Sequence, residues 1–191
     1  NEAYGIACDI GSTTIAMNLV SLLSGRVAAA SGMQNPQIRF GEDLMSRVSY
    51  AMMNPGGALA MTDAIRGALS ALAAELASAA GIQPADILEL SLVGNPIMHH
   101  LVLGIDPVEL GGAPFALAVD HSLTLRASSL GIAVHPDARI YVLPCIAGHV
   151  GADAAGMILA ERPDQGAEMT LLVDVGTNAE IVLGNSRRLV A

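Results

Sequence analysis

Two short stretches of this chain place an acid, a glycine and hydroxyl side chains at the tip of an apolar run. The first is Asp9-Ile10-Gly11-Ser12-Thr13-Thr14, after Ile6-Ala7-Cys8; the second is Asp174-Val175-Gly176-Thr177-Asn178, after Leu171-Leu172-Val173. Aligned on the acid, both read Asp, a β-branched residue, Gly, a hydroxyl, then Thr or Asn. They stand at positions 9 and 174, too far apart for a solenoid repeat and right for a duplicated domain. Glycine permits a tight turn and close backbone approach to a ligand, and the turn's N–H groups with its hydroxyls form an anion-binding concavity suited to phosphate. A carboxylate at the same tip repels that phosphate unless a cation intervenes, which points to Mg2+ held through water. A single Asp-x-Gly-Ser/Thr is an ordinary hairpin turn. Two copies, each after a buried strand, favour a clamp that grips a polyphosphate from both sides.

The rest of the composition narrows the partners. The chain has 191 residues, 52% hydrophobic and 14% charged, with a formal net charge of −9. All basic residues are arginines, so the lysine of a P-loop is missing and phosphates must be held without it. No basic stripe is visible and aromatic residues are few, which speaks against nucleic acid. The most apolar helical stretch, Ala58 to Ala80, carries Asp63, Arg66 and Glu75, so no membrane span is expected, and no export signal is visible. A cytoplasmic protein is the expectation. Cys8 and Cys145 form neither a disulfide framework nor a metal-ligand spacing and read as small buried thiols.

The elements that must position the two tips follow from turn chemistry and periodicity. Strands are expected at Tyr4 to Asp9, Thr14 to Leu22 and Arg26 to Gly32, then a helix opening at Gly41-Glu42-Asp43 and a second from about Leu59 to the stop at Gly81. Ile87 to Asn95 reads as a strand, and Pro96 as the first residue of a helix. Residues 104–137, rich in Gly, Pro and Ser, read as an irregular excursion from the main sheet. A strand at Arg139 to Pro144, a helix at Val150 to Glu161 and the closing strands complete the order. The fold class is α/β with a mixed sheet. His99 and His100 are adjacent on a helix, so they point about 100° apart and suit a helix-surface or core-edge role better than a shared metal. The methionines between Met45 and Met61 read as adaptable core.

With these residues on the page, the paired hairpins resemble the phosphate loops of the actin, sugar-kinase and heat-shock-chaperone ATPase superfamily. More closely, "NPQIRFGEDLMSRVSYAM", "LVGNPIMHHLVLGIDPVELGGAPF", "LPCIAGHVGADAAGMILA" and "LLVDVGTNAEIVLGN" look like the reductive activators of corrinoid proteins, over nearly the whole chain. That resemblance implies a ribonuclease-H-like (actin-like ATPase) subdomain over residues 1–165 and the opening strands of a second over 166–191. It implies ATP and Mg2+ as cofactors, and a corrinoid protein or corrinoid-dependent methyltransferase component as partner, returned from Co(II) to Co(I). Asp9 and Asp174 would hold hydrated Mg2+. Gly11, Ser12, Thr13 and Thr14 would face one side of the phosphates, and Gly176, Thr177 and Asn178 the other. Asp153, in the first turn of its helix, is the candidate for orienting an attacking water, although the helix dipole alone also favours an acid there. Glu180 is either a neighbour of the site or a solvent-facing strand residue.

The family's iron–sulfur domain, which would precede these residues, is not in this sequence, nor is a Gly-Gly turn for adenine after the second hairpin. The expectation is a part of a longer protein, with ATPase activity in the full-length molecule and weak nucleotide affinity in this piece alone. Uncovered apolar strands near the end predict self-association. Three other readings stay open: a small-molecule kinase, an activator of a radical dehydratase with Cys145 at a cluster, and a non-catalytic scaffold.

Overall fold

The computed structural model describes residues 2–176 and 178–191. Strands β1 (Tyr4–Ile10), β2 (Thr14–Ser21) and β3 (Val27–Gln34) form an antiparallel meander, in which Ile6, Cys8 and Ile10 alternate inward with Ile15, Met17 and Leu19. Helix α1 (Leu44–Met53) follows, started by Asp43, whose side chain accepts a hydrogen bond from the Ser46 N–H as an N-cap does. Helix α2 (Gly57–Ala80) ends at Gly81, which adopts the left-handed conformation that glycine takes without strain. Its buried face, including Met61, Ile65, Leu69, Leu72 and Leu76, covers one side of the meander.

Strand β4 (Ile87–Gly94) then lies parallel to β1, and β6 (Arg139–Val142) parallel to β4. Between them stand helix α3 (Pro96–Leu103), strand β5 (Leu123–Arg126) and the short helix α4 (Ala127–Leu130). The six-stranded sheet has the order β3-β2-β1-β4-β6-β5. This antiparallel opening followed by helix-connected parallel strands is the ribonuclease-H-like arrangement. Helix α5 (Ala152–Glu161) packs on the opposite face of β4, with Gly156 close against Val93. A second, three-stranded antiparallel sheet follows: β7 (Thr170–Val175), β8 (Ala179–Asn185) and β9 (Arg188–Val190).

Three expectations need correction. Residues 104–137 are not wholly an excursion, because β5 pairs antiparallel with β6 at the edge of the main sheet. Its inward Leu123 and Leu125 alternate with Thr124 and Arg126, a signal only four residues long. Of the methionines between 45 and 61, Met61 is core, whereas Met45, Met52 and Met53 are exposed. The inward side of α1 is supplied instead by Arg47 and Val48. His99 and His100 are not on a helix surface: α3 is buried along nearly its whole length, and both rings lie in the core. His100 Nδ1 donates to the Pro96 carbonyl at 2.8 Å while its Nε2 accepts the Ala118 N–H at 3.0 Å, which fixes a neutral ring. Cys8 and Cys145 are buried as expected, and burial pushes the Cys145 thiol up to about 12.

Candidate functional site

Parallel strands deliver their carboxyl ends to one edge, and crevices outside those ends are where open α/β sheets bind ligands. In this sheet Ile10 of β1 is level with Gly94 of β4. Past β1 the chain turns at once into β2, with Ile10 facing Ile15. Gly11 is required there: a Cβ would stand 2.5 Å from the Thr14 carbonyl oxygen. Past β4 the chain enters α3 through Asn95, whose Oδ1 accepts the Met98 N–H at 3.0 Å, with Pro96 at the first helical position.

Helix α5 is brought to the same edge by a close approach. A Cβ on Gly151 would lie 2.6 Å from the Gly94 carbonyl oxygen and from Asn95 Cα, so only glycine lets the start of α5 sit against the end of β4. Asp153 follows in the first turn, its Oδ1 accepting the Ala154 N–H at 2.8 Å. The second sheet packs its Leu172, Glu180 and Val182 side toward α5, and Asp174 pairs across the ladder with Glu180 on that side. Its turn is closed by the Gly176 N–H donating to the Asn178 carbonyl at 2.8 Å.

These pieces line one cleft of about 200 Å3: Asp9, Gly11, Ser12, Thr13 and Thr14 from the first hairpin, Asn95 from α3, Asp153 from α5, and Asp174, Gly176, Asn178 and Glu180 from the second. Every candidate residue named from the sequence therefore lies at this cleft except Thr177, which is outside the described residues. Glu180 is half-buried, not simply solvent-facing. The sequence reading missed Asn95. Its Gly-Asn-Pro setting, at the switch from a buried strand to a helix, was the available signal.

Like charges crowd this cleft. Partial burial, then Asp153 and Asp174, push the Asp9 carboxyl up to about 6. Asp9 is exposed as a residue, yet it lines the cleft, where desolvation acts on its carboxyl. Asp153 is raised by burial and by Asp174, against the lowering effect of the Ala154 N–H. Glu180 is raised by burial, then by Asp153, Asp174 and Asp9. Mutually raised carboxylates in a cleft suit a cation. Among the described residues no group of three or more His, Cys, Asp or Glu is close enough to hold a metal ion directly. Hard oxygen donors around a wider space fit Mg2+, which keeps several of its waters. The cleft is smaller than the roughly 300–1,000 Å3 of most small-molecule pockets, so it has room for phosphates and does not by itself enclose a nucleoside. A larger cavity of about 500 Å3 adjoins it, walled by Leu44, Met45, Pro96, Ile97 and Leu110 and sharing Asn95, Asn178 and Glu180.

A mixed sheet of this order with two acid-tipped hairpins meeting at its strand ends defines a member of the actin-like ATPase class of folds. The RACo middle region family matches residues 4–165, and the chain belongs to that family. It is 34% identical over 182 residues to the corrinoid activation enzyme RamQ of Eubacterium limosum, covering 95% of this chain and 30% of that protein. Among solved structures, a reductive activator for corrinoid, iron-sulfur protein matches with a TM-score of 0.95 and 35% identity, covering 98% of this chain and 30% of that one. The chain thus spans about 30% of the length of both relatives.

Proposed function

We propose that this chain is the phosphate-gripping part of an ATP-dependent reductive activator that helps return Co(II) corrinoid proteins to Co(I). The observation that carries the reading is the convergence of both hairpins and Asp153 on one cleft, in a chain of the RACo middle region family. Asp9 and Asp174 would hold hydrated Mg2+, which when bound neutralises charge on the phosphates. Ser12, Thr13 and Thr14 face the phosphates from one side, and Asn178 from the other. Asp153, with its carboxyl raised above the usual range, accepts a hydrogen bond from the attacking water and aligns it. Nucleotide binding and hydrolysis favour different separations of the two hairpins, and that shift changes affinity for the corrinoid protein. The iron–sulfur centre that supplies electrons belongs to another part of the protein. The setting is the cytoplasm; no helix among the described residues is long and apolar enough to cross a membrane.

The test is a double Asp9→Asn, Asp174→Asn variant of the full-length protein. Activation of the corrinoid partner should fall on the order of a hundredfold or more, the scale of losing preorganised transition-state stabilisation. Unchanged activation sinks the ATPase reading. The adjoining apolar cavity favours one second reading, a small-molecule kinase whose acceptor lies beside the phosphates. Appearance of a phosphorylated metabolite from ATP in the absence of any corrinoid protein decides for it.

A further inference from the structure

Behind the first hairpin lies a polar cluster inside the core. Asn35, Gln37 and Arg47 are all fully buried. Asn35 and Arg47 engage three successive carbonyls of the loop. Asn35 Nδ2 donates to the Gly11 carbonyl at 2.8 Å, Arg47 Nη2 donates to the Ser12 carbonyl, and the Asn35 N–H donates to the Thr13 carbonyl at 2.8 Å. The cluster is braced within itself. The Gln37 N–H donates to Asn35 Oδ1 at 2.9 Å, and Arg47 Nη1 reaches Gln37 Oε1 at 3.4 Å. Arg47 Nε also donates to the Gly41 carbonyl at 3.0 Å, and Met98 Sδ receives both Asn35 Nδ2 and Arg47 Nη1.

Arg47 is an unusual residue to bury here. Among the described residues no carboxylate stands within ion-pair distance of it. A buried charge with no carboxylate in contact, helped only by Asp43 from a distance, is expensive and calls for a reason beyond filling space. Burial lowers its guanidinium only to about 10, so it stays charged at neutral pH.

The reason lies in the direction of the peptides. In a planar trans peptide the C=O and the following N–H point opposite ways. Holding the Gly11, Ser12 and Thr13 carbonyls on the core side turns the other edges of those peptides toward the cleft that Gly11, Ser12, Thr13 and Thr14 line. A released carbonyl could rotate into the cleft, where its lone pairs would meet a bound anion. The cleft already carries four carboxylates, and no lysine exists in the chain to offset them.

We infer that Arg47, assisted by Asn35, is a positioning residue for polyphosphate binding: it locks the first loop with its carbonyls turned away from the cleft and sets a fixed positive charge behind it. This rests on the phosphate-clamp reading of the cleft and adds to it a residue that touches no phosphate.

The test uses the full-length protein with two probes, Mg2+-ATP and Mg2+-tripolyphosphate, the second of which needs no base pocket. Arg47→Met keeps the length of the side chain and removes charge and donors; Arg47→Lys keeps the charge. Binding of both probes, measured well below the melting temperature, should weaken at least tenfold in Arg47→Met, with part recovered in Arg47→Lys. Amide hydrogen exchange of residues 11–14 should quicken in Arg47→Met without nucleotide, ahead of β4. A folded Arg47→Met that binds both probes within twofold of wild type overturns the inference. If Arg47→Met fails to fold, Asn35→Asp replaces it: it keeps the acceptor for Gln37, sets an acceptor against the Gly11 carbonyl, and should cost the same tenfold, whereas binding within twofold overturns the role. Failure of the wild-type protein to bind either probe is distinct: it sinks the phosphate-clamp reading itself, and faster exchange would then leave Arg47 a structural residue only.

Discussion

The two hairpins share a sequence pattern and differ in what holds them. The first grows from β1, whose Ile6, Cys8 and Ile10 are buried, and its loop is tied to the core at three carbonyls. The second grows from β7, whose Leu171, Val173 and Val175 are exposed, and its turn is closed by its own Gly176 to Asn178 hydrogen bond. Even the shared glycine has different work. At Gly11 a Cβ would collide with backbone at 2.5 Å, whereas at Gly176 the nearest atom stands 3.7 Å away, in ordinary contact. A clamp built this way has one fixed jaw and one whose position depends on what its sheet packs against. That division suits the nucleotide-dependent change of state proposed above, because movement is cheapest where fewest buried contacts must break.

The largest effect that could break this comparison is at the glycines. Gly11→Ala forces the loop backbone to shift and should cost about 2–4 kcal/mol, which for a chain of this size lowers the melting temperature by roughly 5–12 °C. It should also abolish phosphate binding, since the loop cannot keep its peptide directions. Gly176→Ala should change stability by less than about 0.5 kcal/mol. Thermal melts of the two variants side by side give the answer; equal losses would mean that the jaws are equally constrained.

The contrast was only half legible in the sequence. Asp9 and Asp174 could be found because each follows a run of apolar residues and precedes glycine, a pattern that survives without knowledge of packing. The mixed α/β sheet followed from the succession of adjacent strands and then strands joined by helices; which strands lie side by side did not. What fixes the first loop did not show. Neither Asn35 nor Arg47 was singled out by its sequence setting; Arg47 becomes a core residue only because α1 docks against the loop. Strand β5 was missed because its four residues carry too little alternation. For His99 and His100 the helix-surface alternative failed because two imidazoles side by side look polar, while the apolar residues around them bury nearly all of that helix.

Those histidines give the second prediction, on the footing of the fixed jaw. Helix α3 also supplies Met98, which touches Arg47 and Asn35. Among the described residues neither ring nitrogen of His99 meets a well-formed hydrogen-bond partner, although the Leu143 backbone is near enough to favour the protonated ring slightly. Burial, then the neighbouring His100, depresses His99 from 6.5 to about 4. Between those values the unfolded chain binds a proton that the folded one refuses, so stability is lost as pH falls from about 6.5 toward 4. The full effect is on the order of 3 kcal/mol. His99→Leu should remove most of that slope while changing the melting temperature at pH 8 by only a few degrees. If melting curves of the two proteins run parallel from pH 8 to pH 4, His99 does not titrate as its burial requires.

The smallest effect lies on the loose jaw. Leu171, Val173, Val175, Ile181, Leu183 and Val190 share the outer face of the second sheet and are all exposed, with Met169 beside them. A sheet face this apolar and this open attracts another surface, and self-association of the 191-residue chain through it is the expected outcome. Val173→Thr with Val175→Thr replaces exposed methyls by hydroxyls of similar shape. Stability should therefore move by no more than about 0.5 kcal/mol, while the sedimentation coefficient at micromolar concentration should shift toward the monomer. The same pair of changes applied to inward residues of β1 would be far more costly, which is the comparison in its sharpest form. A wild-type chain that sediments as a monomer with these strands protected from exchange would remove self-association from the account, and the loose jaw would then need another explanation for its stability.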